Sequence, residues 1–181
     1  CHYCEGRNPL KQMKKYIVYF SLLALSFSLS GCGFYSFTGA SIPADVKTYQ
    51  VNRFENTSLL FEPGLDLLFQ NTLQDLIQNQ TNLNLVTSGG DLIYEGEITD
   101  YRISPTTSTS SNTAAQNRLT INVKLRFYNR KKEEDDLEQS FSFFYDYDGS
   151  AQLIGAQKAT AHEEIFERIT QDVFNATLAK W

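Results

Sequence analysis

The spacing at which hydrophobic positions recur changes along this chain, and each change marks an element. In "KTYQVNRF" (47–54), Tyr49 and Val51 alternate with polar residues, which predicts a short first strand. "ENTSLLFEPG" then turns the chain, with Pro63-Gly64 as the breaker. From Leu65 the period lengthens. Leu65, Leu68, Phe69, Thr72, Leu73, Leu76 and Ile77 recur every three or four residues, predicting an amphipathic helix that ends near Gln80. "TNLNLVTSGG" reads as an extended connection closed by two glycines.

Alternation returns in "DLIYEGEITDYRIS", where Leu92, Tyr94 and Ile98 share one face. Tyr101 and Ile103 fall in the opposite phase, so a bulge is expected near Thr99-Asp100. A polar, uncharged loop, "PTTSTSSNTAAQ", follows. Then Leu119, Ile121, Val123, Leu125 and Phe127 alternate strictly with Arg118, Thr120, Asn122, Lys124 and Arg126, the clearest strand in the chain. "RKKEEDDL" is a charged hairpin tip. "SFSFFYDYDG" returns as the last strand, with Phe141, Phe143, Tyr145 and Tyr147 facing the core and Phe144 facing out as a contact candidate. After Gly149, "AQLIGAQKATAHEEIFERITQDVFNATLAKW" reads as helix, with Ile165, Phe166, Ile169, Val173 and Ala176 as its stripe. The order β-α-β-β-β-α predicts an α+β fold: a two-layer sandwich of a four-stranded mixed sheet with two helices on one face. The other face carries Arg118, Lys124 and Arg126, open to water or a partner.

The N-terminal part follows a different logic. Ile17 to Ser30 is an uncharged, mostly apolar run of 14 residues. A membrane-spanning helix needs about 20. Met13-Lys14-Lys15 stands before the run and Leu29-Ser30-Gly31-Cys32 closes it. A basic head, a short apolar middle and a small-residue exit describe a secretory signal peptide. Leu-Ser-Gly-Cys resembles the lipobox of bacterial lipoproteins, in which the signal is cut before the cysteine and that cysteine is acylated. The expected organisation is therefore residues 1–12 as upstream sequence, 13–31 as lipoprotein signal, and 32–181 as the mature domain anchored through Cys32. Cys1-His2-Tyr3-Cys4 has the spacing of a metal or redox pair, but it lies before the Met and has no second pair.

Charge and chemistry narrow the function. From Cys32 on there are twelve Lys and Arg (the sixteen of the whole chain less Arg7, Lys11, Lys14 and Lys15). Against them stand twenty Asp and Glu (twenty-one less Glu5), a net charge of −8. Nucleic-acid readers usually show a basic face, so no nucleic-acid partner is expected. No enzyme is expected either, because a nucleophile with a paired base is missing. No cofactor or metal is expected. His162-Glu163-Glu164 starts like a zinc-protease helix, but the second histidine position holds Phe166. The acids Glu133, Glu134, Asp135 and Asp136 read as a solvated tip.

The lipobox and this element order resemble the LptE family of lipopolysaccharide-assembly lipoproteins. The opening turn of that family stands here as Cys32-Gly33-Phe34-Tyr35-Ser36-Phe37-Thr38-Gly39. "GGDLIYEGEITDYRIS" and "RLTINVKLRF" resemble its central hairpin, and "SFSFFYDYDGSAQLIGAQKATAHEEIFERI" its last strand and helix. The resemblance implies a protein on the periplasmic side of the outer membrane, held there by acylated Cys32. Its partners would be an LptD-type β-barrel, which it plugs and helps assemble, and lipopolysaccharide. Gly33, rather than the Asp that retains many lipoproteins in the inner membrane, fits that location. By position after the last strand, Lys158 matches a basic lipid-contact residue of the family. The basic residue of the loop between the second and third strands has no counterpart before Arg118. The expected lipopolysaccharide contacts are thus Lys158, Arg118, Lys124 and Arg126. The alternative is a periplasm-facing lipoprotein of generic role, binding peptidoglycan or assisting barrel folding.

Overall fold

In the computed structural model, Leu65, Phe69, Leu73 and Ile77 form a single buried ridge along helix α1 (Leu65–Gln80). Their four-residue spacing stacks them on one line of the helix, so Leu68 flanks the ridge and is exposed. The description covers residues 42–108 and 114–179, all within one compact unit, Thr38–Trp181. The segments 1–12 and 13–31, Cys32, the opening turn and the tip of the Ser/Thr-rich loop lie outside the described residues.

The remaining elements are β1 (Thr48–Val51), β2 (Glu55–Asn56), β3 (Asn84–Leu85), β4 (Leu92–Ser108), β5 (Ala114–Asn129), β6 (Leu137–Asp148) and helix α2 (Gly155–Thr177). The strands form one mixed sheet in the order β3-β1-β4-β5-β6, with β2 also on β4. β4, β5 and β6 are an antiparallel meander. β1 and β2 run parallel to β4, and β3 runs parallel to β1.

Both helices cover one face, so the two-layer α+β sandwich is as expected, with six strands in place of four. The extra strands are β2 and β3, two residues each. They are too short for alternation to register, and they exist because partners distant in sequence satisfy their backbone groups. The expected strand over 47–54 is accordingly shorter, β1 ending at Val51, and pairing resumes beyond it at Glu55. The expected loop at 105–116 is largely strand, since β4 runs to Ser108 and β5 begins at Ala114. The two arms hydrogen-bond to each other beyond the core, so no apolar alternation is needed to hold them. The last helix starts at Gly155 rather than after Gly149. A turn closed by the Ala151 N–H on the Asp148 carbonyl comes first, and Leu153 seals it from inside.

The core is the joint face of sheet and helices. Leu119, Ile121, Val123 and Leu125 are fully buried, as their alternation requires. Register shifts between Ile98 and Asp100, where the change of phase places the bulge, and Tyr101 thereby turns inward. Phe141 and Tyr147 are buried, while Phe143 and Tyr145 are half-buried because β6 is the sheet's edge. Phe54, Phe69 and Phe166 join in edge-to-face contacts at 4.8 and 5.2 Å, tying the β1–β2 segment to both helices. Gly96 permits close approach of β4 and β5: a Cβ there would strike the Lys124 carbonyl oxygen and the Phe54 ring.

Candidate functional site

Strand alternation sends Arg118, Lys124 and Arg126 to the face away from the helices, as expected, and register decides what they meet. Arg118 on β5 lies opposite Asp146 on β6. Its Nε and Nη2 donate to the two carboxylate oxygens at 2.7 and 2.8 Å, a bidentate fork. The pairing raises the Arg118 pKa and lowers that of Asp146. Lys124 reaches Glu138 on β6 at 2.6 Å, and the ammonium depresses the Glu138 pKa. Arg126 donates to Glu95 on β4 at 3.2 Å. Three cations that read as a basic patch are thus rungs of a charge-matched ladder across β4, β5 and β6. Within that face the side-chain oxygen of Asn122 is buried without a hydrogen-bond partner.

Arg118 has a second contact. Its guanidinium lies 3.6 Å from the centre of the Phe144 ring. Phe144 stacks on Phe143, with ring centroids 5.5 Å apart. Phe143 in turn faces Arg168 of α2 at 5.6 Å. The four side chains fold over the outer edge of β6 from one face of the sheet to the other. Phe144 is exposed, as expected, but a cation covers one side of its ring.

Lys158 is not brought together with the other three. It stands in the first turns of α2, in the helix layer, and its ammonium donates to Glu62 at 2.7 Å. Glu62 belongs to the loop between β2 and α1. That loop is held by several further bonds. The Thr57 N–H donates to the Ile98 carbonyl at 3.0 Å. The Asn56 amide donates to the Glu62 carbonyl, and the buried Ser58 hydroxyl bridges Asn56 and Leu60.

His162 of α2 is buried, and its Nε2 lies 3.1 Å from the Tyr101 hydroxyl. Burial lowers the His162 pKa; nearby Glu62 opposes the shift and Lys158 adds to it. Burial likewise pushes the Tyr101 hydroxyl up to about 12. No group of His, Cys, Asp and Glu able to hold a metal ion occurs among the described residues. A shallow groove of about 630 Å³ crosses the helix layer, lined in part by Thr72, Leu76, Phe143 and Arg168.

Two acidic groups carry structural roles that their sequence surroundings do not advertise. Asp91 accepts the Lys47 and Thr48 N–H groups at 2.9 and 3.0 Å, the Thr48 hydroxyl at 2.9 Å, and the Lys131 ammonium at 3.0 Å. The Lys47 N–H, then Lys131, hold its carboxyl well below the usual carboxylate range. Asp136 at the charged tip accepts the Asn129 N–H at 2.8 Å, so that acid closes the turn rather than merely solvating it. The short spacing from Asn129 to Asp136 was the one visible signal.

Comparison with known proteins agrees with this architecture. The chain matches no curated protein sequence. Among solved structures it is similar to an uncharacterized lipoprotein B from Nitrosomonas europaea, at TM-score 0.53 and 10% identity over 79% of this chain and 87% of that one. It is also similar to the hypothetical protein CT253 from Chlamydia trachomatis, at TM-score 0.52 and 10% identity over 75% and 99%. A third is the protein XCC0632 from Xanthomonas campestris, at TM-score 0.52 and 10% identity over 76% and 87%. At such identities the likeness concerns the fold. The family model of LptE, lipopolysaccharide-assembly, matches residues 46–177, which run from just before β1 to the last residue of α2. This chain therefore belongs to the LptE family of lipopolysaccharide-assembly proteins.

Proposed function

We propose that this chain works as a lipid-anchored plug and assembly partner of an LptD-type β-barrel, in the delivery of lipopolysaccharide to the outer leaflet of the outer membrane. Residues 13–31 direct export, residues 1–12 lie upstream of the start, and 32–181 is the working domain. Acylated Cys32 holds it on the periplasmic face. Stable anchoring takes two lipid signals, and the amine freed at Cys32 offers the second site beside the thiol.

The observation that carries this reading, beyond family membership, is the ladder of ion pairs on the outer face of the sheet. A large outer-membrane barrel has a polar lumen. A face whose charges are already matched across three strands enters such a lumen without stranding an ion. Lipopolysaccharide phosphates would then be met by exchange. Lys158 would leave Glu62, and Arg118 would leave Asp146, for a phosphate that accepts the same charge-assisted bonds. Lys124 and Arg126 offer the same exchange further along the face.

The test is gentle detergent extraction of the full chain from membranes. A stoichiometric outer-membrane barrel in the extract, with intact mass showing cleavage before Cys32 and added acyl chains, is the expected result. Capture of peptidoglycan fragments with no barrel would favour the generic-lipoprotein reading instead.

A further inference from the structure

Three consecutive residues of the β2–α1 loop, Leu59, Leu60 and Phe61, are 102%, 55% and 67% exposed. A run of exposed apolar side chains is a liability unless it has a use. This run is not a slack excursion. Ser58 is buried beneath it and bonds the Leu60 carbonyl, Asn56 holds the Glu62 carbonyl, and Lys158 clamps the Glu62 carboxylate. Ile154, one helical turn before Lys158, is also exposed. The loop is fixed at both ends with its apolar side chains turned to solvent. Such preorganisation lowers the ordering cost of a contact.

We propose that Leu59, Leu60 and Phe61 form a docking knob for an apolar recess on a folded protein partner, which on the reading above is the barrel wall. The proposal rests on that reading. Charge at the rim selects protein over lipid. In the state that docks, before any exchange onto phosphate, both rim cations are neutralised: Lys158 by Glu62, and Arg53 by Asp66 at 3.1 Å. At the base of the loop, Glu55 pairs in register with Glu97, and these two acids add negative charge. A loop that enters an anionic leaflet is normally ringed by free cations. Position agrees. Ile42 and Pro43 line one cavity with Asn129, Lys132 and Leu178, at the C-terminal end of α2. The rise of α2 from Lys158 to Leu178 sets the knob about 30 Å from there. The knob therefore lies at the end of α2 opposite Ile42 and Pro43.

The experiment uses the full chain, extracted with its barrel in mild detergent. Leu59→Ser, Leu60→Ser and Phe61→Ser together should cut the recovered barrel by about tenfold, the scale of a lost interface anchor. Leu85→Ser with Tyr128→Ser, two exposed apolar positions elsewhere, should leave recovery unchanged. The three loop side chains are exposed, so the melting temperature should hold. A photo-reactive phenylalanine analogue at position 61 should crosslink to the barrel. Wild-type recovery by the triple variant overturns the knob while leaving the barrel reading intact. If the unaltered chain recovers no barrel, the reading itself fails and the knob falls with it. Loop-dependent flotation of the Cys32→Ser chain with vesicles of phosphatidylethanolamine and phosphatidylglycerol would assign the loop to lipid and overturn the proposal. Loop-dependent self-association would assign it to a second copy, with the same consequence.

Discussion

The Tyr101 hydroxyl on β4 and Nε2 of His162 on α2 lie 3.1 Å apart, a buried polar contact between the sheet and the helix layer. Because burial depresses the His162 pKa, the unfolded chain takes up its proton first as pH falls. Above both pKa values the group is neutral in each state and contributes no pH dependence. As pH drops below about 6.5, the ordinary histidine value, the unfolded state binds more protons and stability declines. Melting temperature followed from pH 7 to 5 should therefore fall more steeply in the wild type than in His162→Gln. Equal slopes would mean that His162 protonates in place.

Asp91 is the clamp between the start of β1 and the β5–β6 turn. Asp91→Ala leaves the Lys47 and Thr48 N–H groups without their acceptor and Lys131 without its carboxylate. A loss of about 2–3 kcal/mol in urea denaturation is expected. The folded pKa of Asp91 is depressed, so its contribution is present above the ordinary aspartate value near 3.9 and is lost as pH falls below it. The variant should lack that part of the acid-denaturation slope.

Gly96→Ala places a methyl group against the Lys124 carbonyl and the Phe54 ring. Neither backbone nor core ring can yield without moving β5 or the aromatic trio. Destabilisation of about 1–3 kcal/mol is expected from overpacking. A variant that melts with the wild type would show that the two strands separate more easily than this contact implies.

Leu125→Asp puts a carboxylate at a fully buried position of β5. The cost of an unpaired buried charge is several kcal/mol, comparable with the stability of a whole domain. Loss of the folded circular-dichroism spectrum is the expected outcome.

Lys158→Gln with Arg118→Gln tests the exchange of carboxylate for phosphate. Binding of purified lipopolysaccharide should weaken, and more at low salt than at high salt, since exposed charges are screened. Barrel recovery should persist in Arg118→Gln alone, since Lys158→Gln also releases Glu62 and the loop it holds. Unchanged lipid binding would remove these two residues from the contact while leaving the plug role standing.

How far the sequence could be read depends on how local the determining contact is. The bounds of α1 were visible because Pro63-Gly64 and a regular ridge are local signals, and the bulge after Ile98 because the phase of one strand changed. Alternation also assigned the faces of β5. It could not disclose that Arg118, Lys124 and Arg126 are neutralised, because their partners Asp146, Glu138 and Glu95 are set by register between strands. Lys158 and Glu62 meet from elements 96 residues apart. Leu59, Leu60 and Phe61 beside a turn read as ordinary chain reversal. Only their exposure separates them from core.

The topology of the sheet also sets the order in which it can form. β4, β5 and β6 close on one another through nearby turns, whereas β1 must find β4, and β3 must find β1, across roughly forty residues of intervening chain. Local pairings form fast and distant parallel ones wait for them. The segment from β1 through α1 to β3, made before the meander, is thus the last to gain its backbone partners, and the apolar ridge of α1 has no sheet to cover until β4 arrives. The meander is thus where folding of the described residues is expected to start, and the apolar surface of β1, α1 and β3 stays uncovered until they dock on it.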